Sequence, residues 1–253
     1  MDNENKWSDL LKAAVTEPGL ILKAYSNFHT YSLGNQIAAI VQCNQKKLEP
    51  GPINTYPGWQ KLNRQVKKGE KAIWLCMPLT RKKKDEGSED QTVITTFVWK
   101  PHWFVLTQTN GEPVPMPEIP AWNKEKALAA LGIQEISFTD TNGNVQGYAR
   151  KREIAISPLA AMPHKTLLHE LAHIELGHTQ ESEFTDSEHT PRNLREVEAE
   201  AVALLLCESL ELPGAEFCRG YLQSWLRGDT IPEKSAQKIF GAADRILRAG
   251  QME

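Results

Sequence analysis

The chain has few cysteines, no long apolar run and no large excess of charge of either sign. Its four cysteines, Cys43, Cys76, Cys207 and Cys218, form no C-x-x-C pair, which argues against a disulfide scaffold and a cysteine-held metal; reduced thiols are expected. The longest apolar stretches, such as residues 37–41, fall far short of the roughly 20 residues of a membrane-spanning helix, so no membrane partner is expected. Residues 1–12 are too polar for a secretory leader, and a cytoplasmic location follows as an expectation. The absence of internal repeats excludes a solenoid. With a net charge of only −3, any attraction for a polyanion has to come from a local patch.

Proline is present and is concentrated where it divides the chain. Pro113, Pro115, Pro117 and Pro120 cannot sustain a helix or a central strand, so residues 112–120 read as a semi-extended linker. Domains over 1–120 and 121–253 are expected. Charge splits at the same place: the first part holds 15 Lys and Arg against 12 Asp and Glu, the second 14 against 20. Between Lys46 and Lys84 there are 11 basic residues and two acidic ones. In the first domain, helices are expected near 6–16 and 33–43, with strands at 72–77, 93–99 and 103–106 and an exposed loop at 81–90. The second domain reads as a helix near 123–131, strands at 133–138 and 147–157, and three or four closing helices. The fold class is therefore α+β.

One pentad carries specific chemistry. His169-Glu170-Leu171-Ala172-His173 is H-E-x-x-H, and Pro163 before it and Gly177 after it are helix start and stop signals. Two imidazoles four residues apart project from one helix face and can grip a single Zn²⁺. Glu170 points about 100° round the helix, where it can accept a proton from water. Leu167, Leu168, Leu171 and Ile174 supply the apolar stripe beside the histidines.

A catalytic zinc needs a third protein ligand. His178 lies nine residues after His169, about 180° away on a continued helix, and could return only through a sharp break at Gly177. It reads as a solvated or structural histidine. The next helix offers Glu196 and Glu200, which share a face and run into the apolar stretch 201–206, where carboxylates need partners. Glu196 fits the ligand and Glu200 a group buttressing a ligating histidine, with Glu200 and then Glu198 as alternative ligands.

These residues resemble the ImmA/IrrE-type metallopeptidases, in which H-E-x-x-H is followed by a helix like Glu196-Val197-Glu198-Ala199-Glu200-Ala201-Val202-Ala203. Glu200 replaces the usual asparagine and Val202 the usual phenylalanine. The first half resembles the single-stranded-DNA-binding domain of ArdC-type antirestriction proteins. Tyr31-Ser32-Leu33-Gly34-Asn35, the stretch from Trp59 to Ile73 with its Val66-Lys67-Lys68-Gly69-Glu70-Lys71 core, and residues 97–109 carry that likeness. The resemblance implies an N-terminal α/β domain that binds single-stranded DNA, joined to a mainly helical, zincin-like metallopeptidase domain with a small sheet. It also implies protection of incoming mobile DNA against restriction.

Single strands are bound by cations that track phosphates and aromatics that stack on bases. Trp59, Lys61, Arg64, Lys67, Lys68 and Lys71 are the expected contacts. The expected activity is that of a zinc endopeptidase acting on an unidentified protein, with Tyr148 a minor candidate for oxyanion stabilisation and residues 147–157 forming the sheet edge beside the cleft. The competing expectations are a non-catalytic DNA-binding protein with a structural metal and an ImmA-like repressor-cleaving protease.

Overall fold

The computed structural model describes residues 6–84, 91–179 and 191–252. The chain opens with α1 (Trp7–Thr16), α2 (Leu20–Phe28) and α3 (Leu33–Lys46). It continues through β1 (Ile53–Thr55), α4 (Tyr56–Lys61), β2 (Arg64–Val66), β3 (Ile73–Lys84), β4 (Gln91–Val105) and β5 (Thr109–Gly111). Then follow α5 (Lys124–Leu131), β6 (Gln134–Glu135), β7 (Gly147–Arg150), β8 (Glu153–Ile156), α6 (Pro163–Glu175), α7 (Arg192–Ser209), α8 (Ala215–Leu226) and α9 (Glu233–Gly250). Among these residues no helix is long and apolar enough to cross a membrane.

Among the described residues, contacts form two compact units, one of Ala38–Pro117 and one of Lys6–Ile37 with the residues from Glu118 onward. The division differs from a simple cut at 120. Residues 6–37 belong with the second half because α1 and α2 pack against α7, and α1 also against α8 and α9.

The first unit is built on an antiparallel sheet of order β1-β4-β3, with β2 and β5 forming a separate pair. The strands expected at 93–99 and 103–106 are one strand, β4. Its register shifts where Trp74 pairs with Pro101 and Ile73 with Trp103, so His102 is the extra residue of a bulge. Proline, having no N–H to donate, is accommodated at such a break. The side-chain amide of Gln42 completes the pairing there, accepting from Trp74 N and donating to Trp74 O, each at 2.8 Å. Residues 81–84, expected in a loop, lie in β3; residues 85–90 are outside the described part. Trp59, Ile73, Leu75 and Val105 form the centre of this unit's core.

The second unit surrounds α7. From Val197 to Cys207 almost every side chain of this helix is buried, as expected of a helix with neighbours on all sides. It packs against α2, α6, α8 and α9. Its C-terminal end is anchored by Glu208, which accepts from Ile21 N and pairs with the buried Arg219 of α8; Arg219 also donates to the carbonyls of Ala14 and Val15. The α1 N-terminus is capped by Glu233, whose two oxygens accept from Trp7 N and Ser8 N at 2.9 Å. A small sheet of order β6-β8-β7 lies beside α6. The single strand expected at 147–157 is instead a hairpin, turned at Lys151 with φ +50°. A Cβ at Gly147 would sit 2.7 Å from Thr166 Cγ2, so only glycine lets β7 approach α6 so closely.

Candidate metal centre

α6 starts at Pro163, whose missing N–H costs nothing in the first helical turn. It ends in a Schellman arrangement: Gly177 takes φ +80°, its N–H donates to Ile174 O at 3.0 Å, and His178 N–H donates to His173 O at 2.9 Å. The helix therefore presents His169, Glu170 and His173 in one uninterrupted stretch. Facing it, α7 supplies Glu196, Glu198 and Glu200.

One ligand atom each of His169, His173 and Glu196 lie within 4.8 Å of one another. His169 Nε2 and His173 Nε2 are 3.1 Å apart, and Glu196 Oε2 is 3.4 Å from the first and 3.7 Å from the second. A tetrahedral ion with bonds of about 2.1 Å holds its donors about 3.4 Å apart, so this spacing fits a divalent cation. The donor set, two imidazole nitrogens and a carboxylate, suits a borderline-soft metal. Glu196 keeps 45 % of its side chain exposed, which leaves the group open to solvent on that side.

Glu200 is not in the cluster but behind it. Its Oε2 is 2.9 Å from His169 Nδ1 and its Oε1 is 2.8 Å from Lys165 Nζ. An ionised carboxylate only accepts, so His169 Nδ1 carries a proton and donates to Glu200, which leaves Nε2 as the nitrogen turned towards His173 and Glu196. Lys165 was not anticipated, although it stands four residues before His169 on the same face.

The electrostatics describe a site that concentrates negative charge. Burial lowers the His169 pKa, but the carboxylates of Glu196 and Glu200 beside the ring outweigh it and push the imidazole up to about 9. The imidazoles of His169 and His173 beside it hold Glu196 far below the carboxylate range despite its partial burial. Burial pushes Glu200 up, and His169 and Lys165 overcome it to bring the carboxyl down to about 2. Burial raises Glu170 against the pull of both histidines, making it the most basic of the site's carboxylates and a competent proton acceptor.

His178 stands outside the three-ligand group. Its Nδ1 is 2.9 Å from His173 Nδ1 and its Nε2 is 2.9 Å from Glu198 Oε2. Burial lowers its pKa, and the Glu198 carboxylate pulls the other way without offsetting it. Tyr148 places its hydroxyl 3.3 Å from that of Thr139 and its ring 5.6 Å from Phe138, the surroundings of a packing residue.

The residues expected at the nucleic-acid surface separate into two groups. Trp59 is a correction: it is 1 % exposed and its indole donates to Phe104 O at 2.9 Å, so it offers no face to a base. Arg64 packs over the Trp59 ring and donates to Thr109, Gly111 and Glu112, which commits its guanidinium to holding β5 and the following residue. Lys61, Lys67, Lys68 and Lys71 are exposed, with Lys67 Nζ 2.8 Å from Thr107 O. In the same unit Thr55, Tyr56, Pro57, Pro101, His102 and Phe104 line an open cleft of about 360 Å³.

Two family models match the chain. That of the N-terminal domain of anti-restriction factor ArdC covers residues 3–102, and that of the IrrE N-terminal-like domain covers residues 129–218. The metal-free crystal structure of the antirestriction ArdC protein from plasmid R388 is similar in fold, with a TM-score of 0.56 and 22 % identity over 97 % of this chain and 95 % of that one. The Mn(II)-bound structure of that protein gives a TM-score of 0.56 and 20 % identity, over 96 % and 97 %. No curated relative matches the chain.

Proposed function

The chain is of the ArdC type, an ArdC N-terminal domain joined to an IrrE-like metallopeptidase domain, and from that premise we propose that it is a single-stranded-DNA-binding, zinc-dependent endopeptidase of antirestriction function. The observation that carries the enzymatic half is the convergence of His169, His173 and Glu196 beside Glu170. His169 Nε2, His173 Nε2 and a Glu196 oxygen would hold the ion. A bound Zn²⁺ supplies Lewis acidity, polarising a scissile carbonyl and making water a better nucleophile near neutral pH.

The protein's own groups do the rest. Glu170 takes a proton from the attacking water and delivers it to the departing amine, a shuttle that its raised pKa favours. Glu200 fixes the His169 ring so that the ligating nitrogen faces inward. β7 is an outer strand of its sheet and lies against α6 at Thr166, one turn before His169. An extended peptide can pair with its outer edge and lie across the site.

On the DNA side, Lys61, Lys67, Lys68 and Lys71 provide phosphate contacts. The cleft lined by Tyr56, Pro101, His102 and Phe104 takes the stacking role that buried Trp59 does not fill. Each lysine replaced by alanine is expected to reduce the salt dependence of oligonucleotide binding by about 0.7 in log–log slope. Fluorescence anisotropy with a labelled thymidine oligomer measures this, and four unchanged slopes would reject the surface.

Cleavage and antirestriction are tested together. The protein and Glu170→Gln are incubated with β-casein, with and without oligonucleotide, while plasmid entry into a restricting host is scored for both. Loss of cleavage and of protection in the variant supports the reading. Protection that survives unchanged assigns antirestriction to DNA binding alone, and cleavage indifferent to DNA favours an ImmA-like protease.

A further inference from the structure

We propose that His178 and Glu198 together position His173 for metal binding, a role that rests on the ligand set proposed above and lies outside the H-E-x-x-H pattern. On a continued helix His178 would face away from His173. The left-handed turn at Gly177 ends α6 and folds residue 178 back, bringing the two rings to 5.1 Å between centroids. Both members of the supporting pair are withdrawn from water, with 3 % of the His178 side chain and 2 % of the Glu198 side chain exposed.

A His173 that ligates through Nε2 fixes the protons along this chain of bonds. The Glu198 carboxylate accepts, so His178 Nε2 carries hydrogen and donates to it across 2.9 Å. With Nε2 given to a metal, His173 carries its hydrogen on Nδ1 and donates it to His178 Nδ1, also at 2.9 Å. His173 Nε2 is left with a bare lone pair, facing His169 Nε2 and Glu196. That is the tautomer a ligand requires. His178 itself has no nitrogen left for the metal.

The two ligating histidines are thus oriented by different devices. His169 meets a carboxylate directly, whereas His173 meets one through an intervening imidazole. Replacing His178 alone would leave the buried Glu198 carboxylate with Ser235 as its remaining hydrogen-bond partner, so the decisive variant changes both, His178→Leu with Glu198→Met. His178→Gln is its counterpart, because an amide keeps one acceptor and one donor.

Zn²⁺ affinity is read by competition with a chromophoric chelator, the visible spectrum is read with Co²⁺, and apo-protein melting is followed by circular dichroism. The double variant is expected to melt as a folded protein, to bind Zn²⁺ 10–100-fold more weakly and to show an altered Co²⁺ spectrum. His178→Gln is expected to recover most of the affinity. A folded double variant with wild-type affinity and spectrum overturns the positioning role. His173→Ala separates the two layers: if it binds Zn²⁺ normally, the ligand set falls, and if it alone loses affinity, only the His178–Glu198 support falls.

Discussion

Glu208→Ala tests how α7, which carries the acidic half of the site, is held in place. The substitution removes the acceptor for Ile21 N and the counter-charge of Arg219, whose side chain is only 9 % exposed. Breaking a buried ion pair typically costs about 3–5 kcal/mol. Arg219 retains bonds to Ala14 O at 2.7 Å and Val15 O at 2.6 Å, so its charge is not left bare and the cost should fall at the lower end, about 3 kcal/mol. With a urea m-value of about 2 kcal/mol/M, the unfolding midpoint should drop by about 1.5 M. Glu208→Gln, which keeps an acceptor, should lose about half as much. Glu208 lies eight residues from Glu200, about 12 Å along the helix, so the folded variant should bind Zn²⁺ as the wild type does. Urea titration followed by far-ultraviolet circular dichroism measures the shift. A midpoint within 0.2 M of wild type, about 0.4 kcal/mol, would refute the reasoning.

Three further outcomes are expected. Glu200→Ala should weaken Zn²⁺ binding by about 10–100-fold in chelator competition, with Glu200→Gln between it and wild type because one amide oxygen cannot serve both His169 and Lys165. Gly177→Ala should cost about 1 kcal/mol in urea unfolding, since φ is +80° there, and should loosen Zn²⁺ binding by displacing His178. Burial pushes Glu233 up, but the amides of Ser8 and Trp7 together hold its carboxyl below the ordinary value of 4.5. Its capping stabilisation is therefore present above that pH and is lost as pH falls through the lowered value. The urea midpoint of Glu233→Gln should lie below wild type by a constant amount from pH 5 to 7, and the gap should close on acidification. A gap that persists unchanged to pH 2.5 would contradict the cap.

The site was largely legible because its parts are spaced by helix geometry. His169 with His173, and Glu196 with Glu200, are i, i+4 pairs, and that periodicity needs no tertiary knowledge. What supports them was less so. The angle of a continued helix turns His178 away, whereas the helix ends at Gly177, and Lys165 has no signal except its place one turn before His169. Leu20, Ile21, Ala24, Tyr25 and Phe28 of α2 have helical spacing, yet Pro18 and Gly19 just before them give the sequence there the look of a loop. β4 was divided because Pro101 punctuates the sequence, whereas a bulge absorbs it. Composition could not separate inward from outward residues in the basic segment. Trp59 and Arg64 support the fold there, while the neighbouring lysines remain in solvent.

The outer position of β7 has a consequence for selectivity. A strand that recruits its target through main-chain groups discriminates poorly between amino-acid sequences, so it would accept many unfolded segments with similar, weak affinity. Choice would then be made by tethering. A nucleic-acid-binding module on the same polypeptide raises the effective concentration of whatever protein is bound nearby, to the millimolar range for short flexible connections. The proposed peptidase would be specific for where its target sits rather than for what it is.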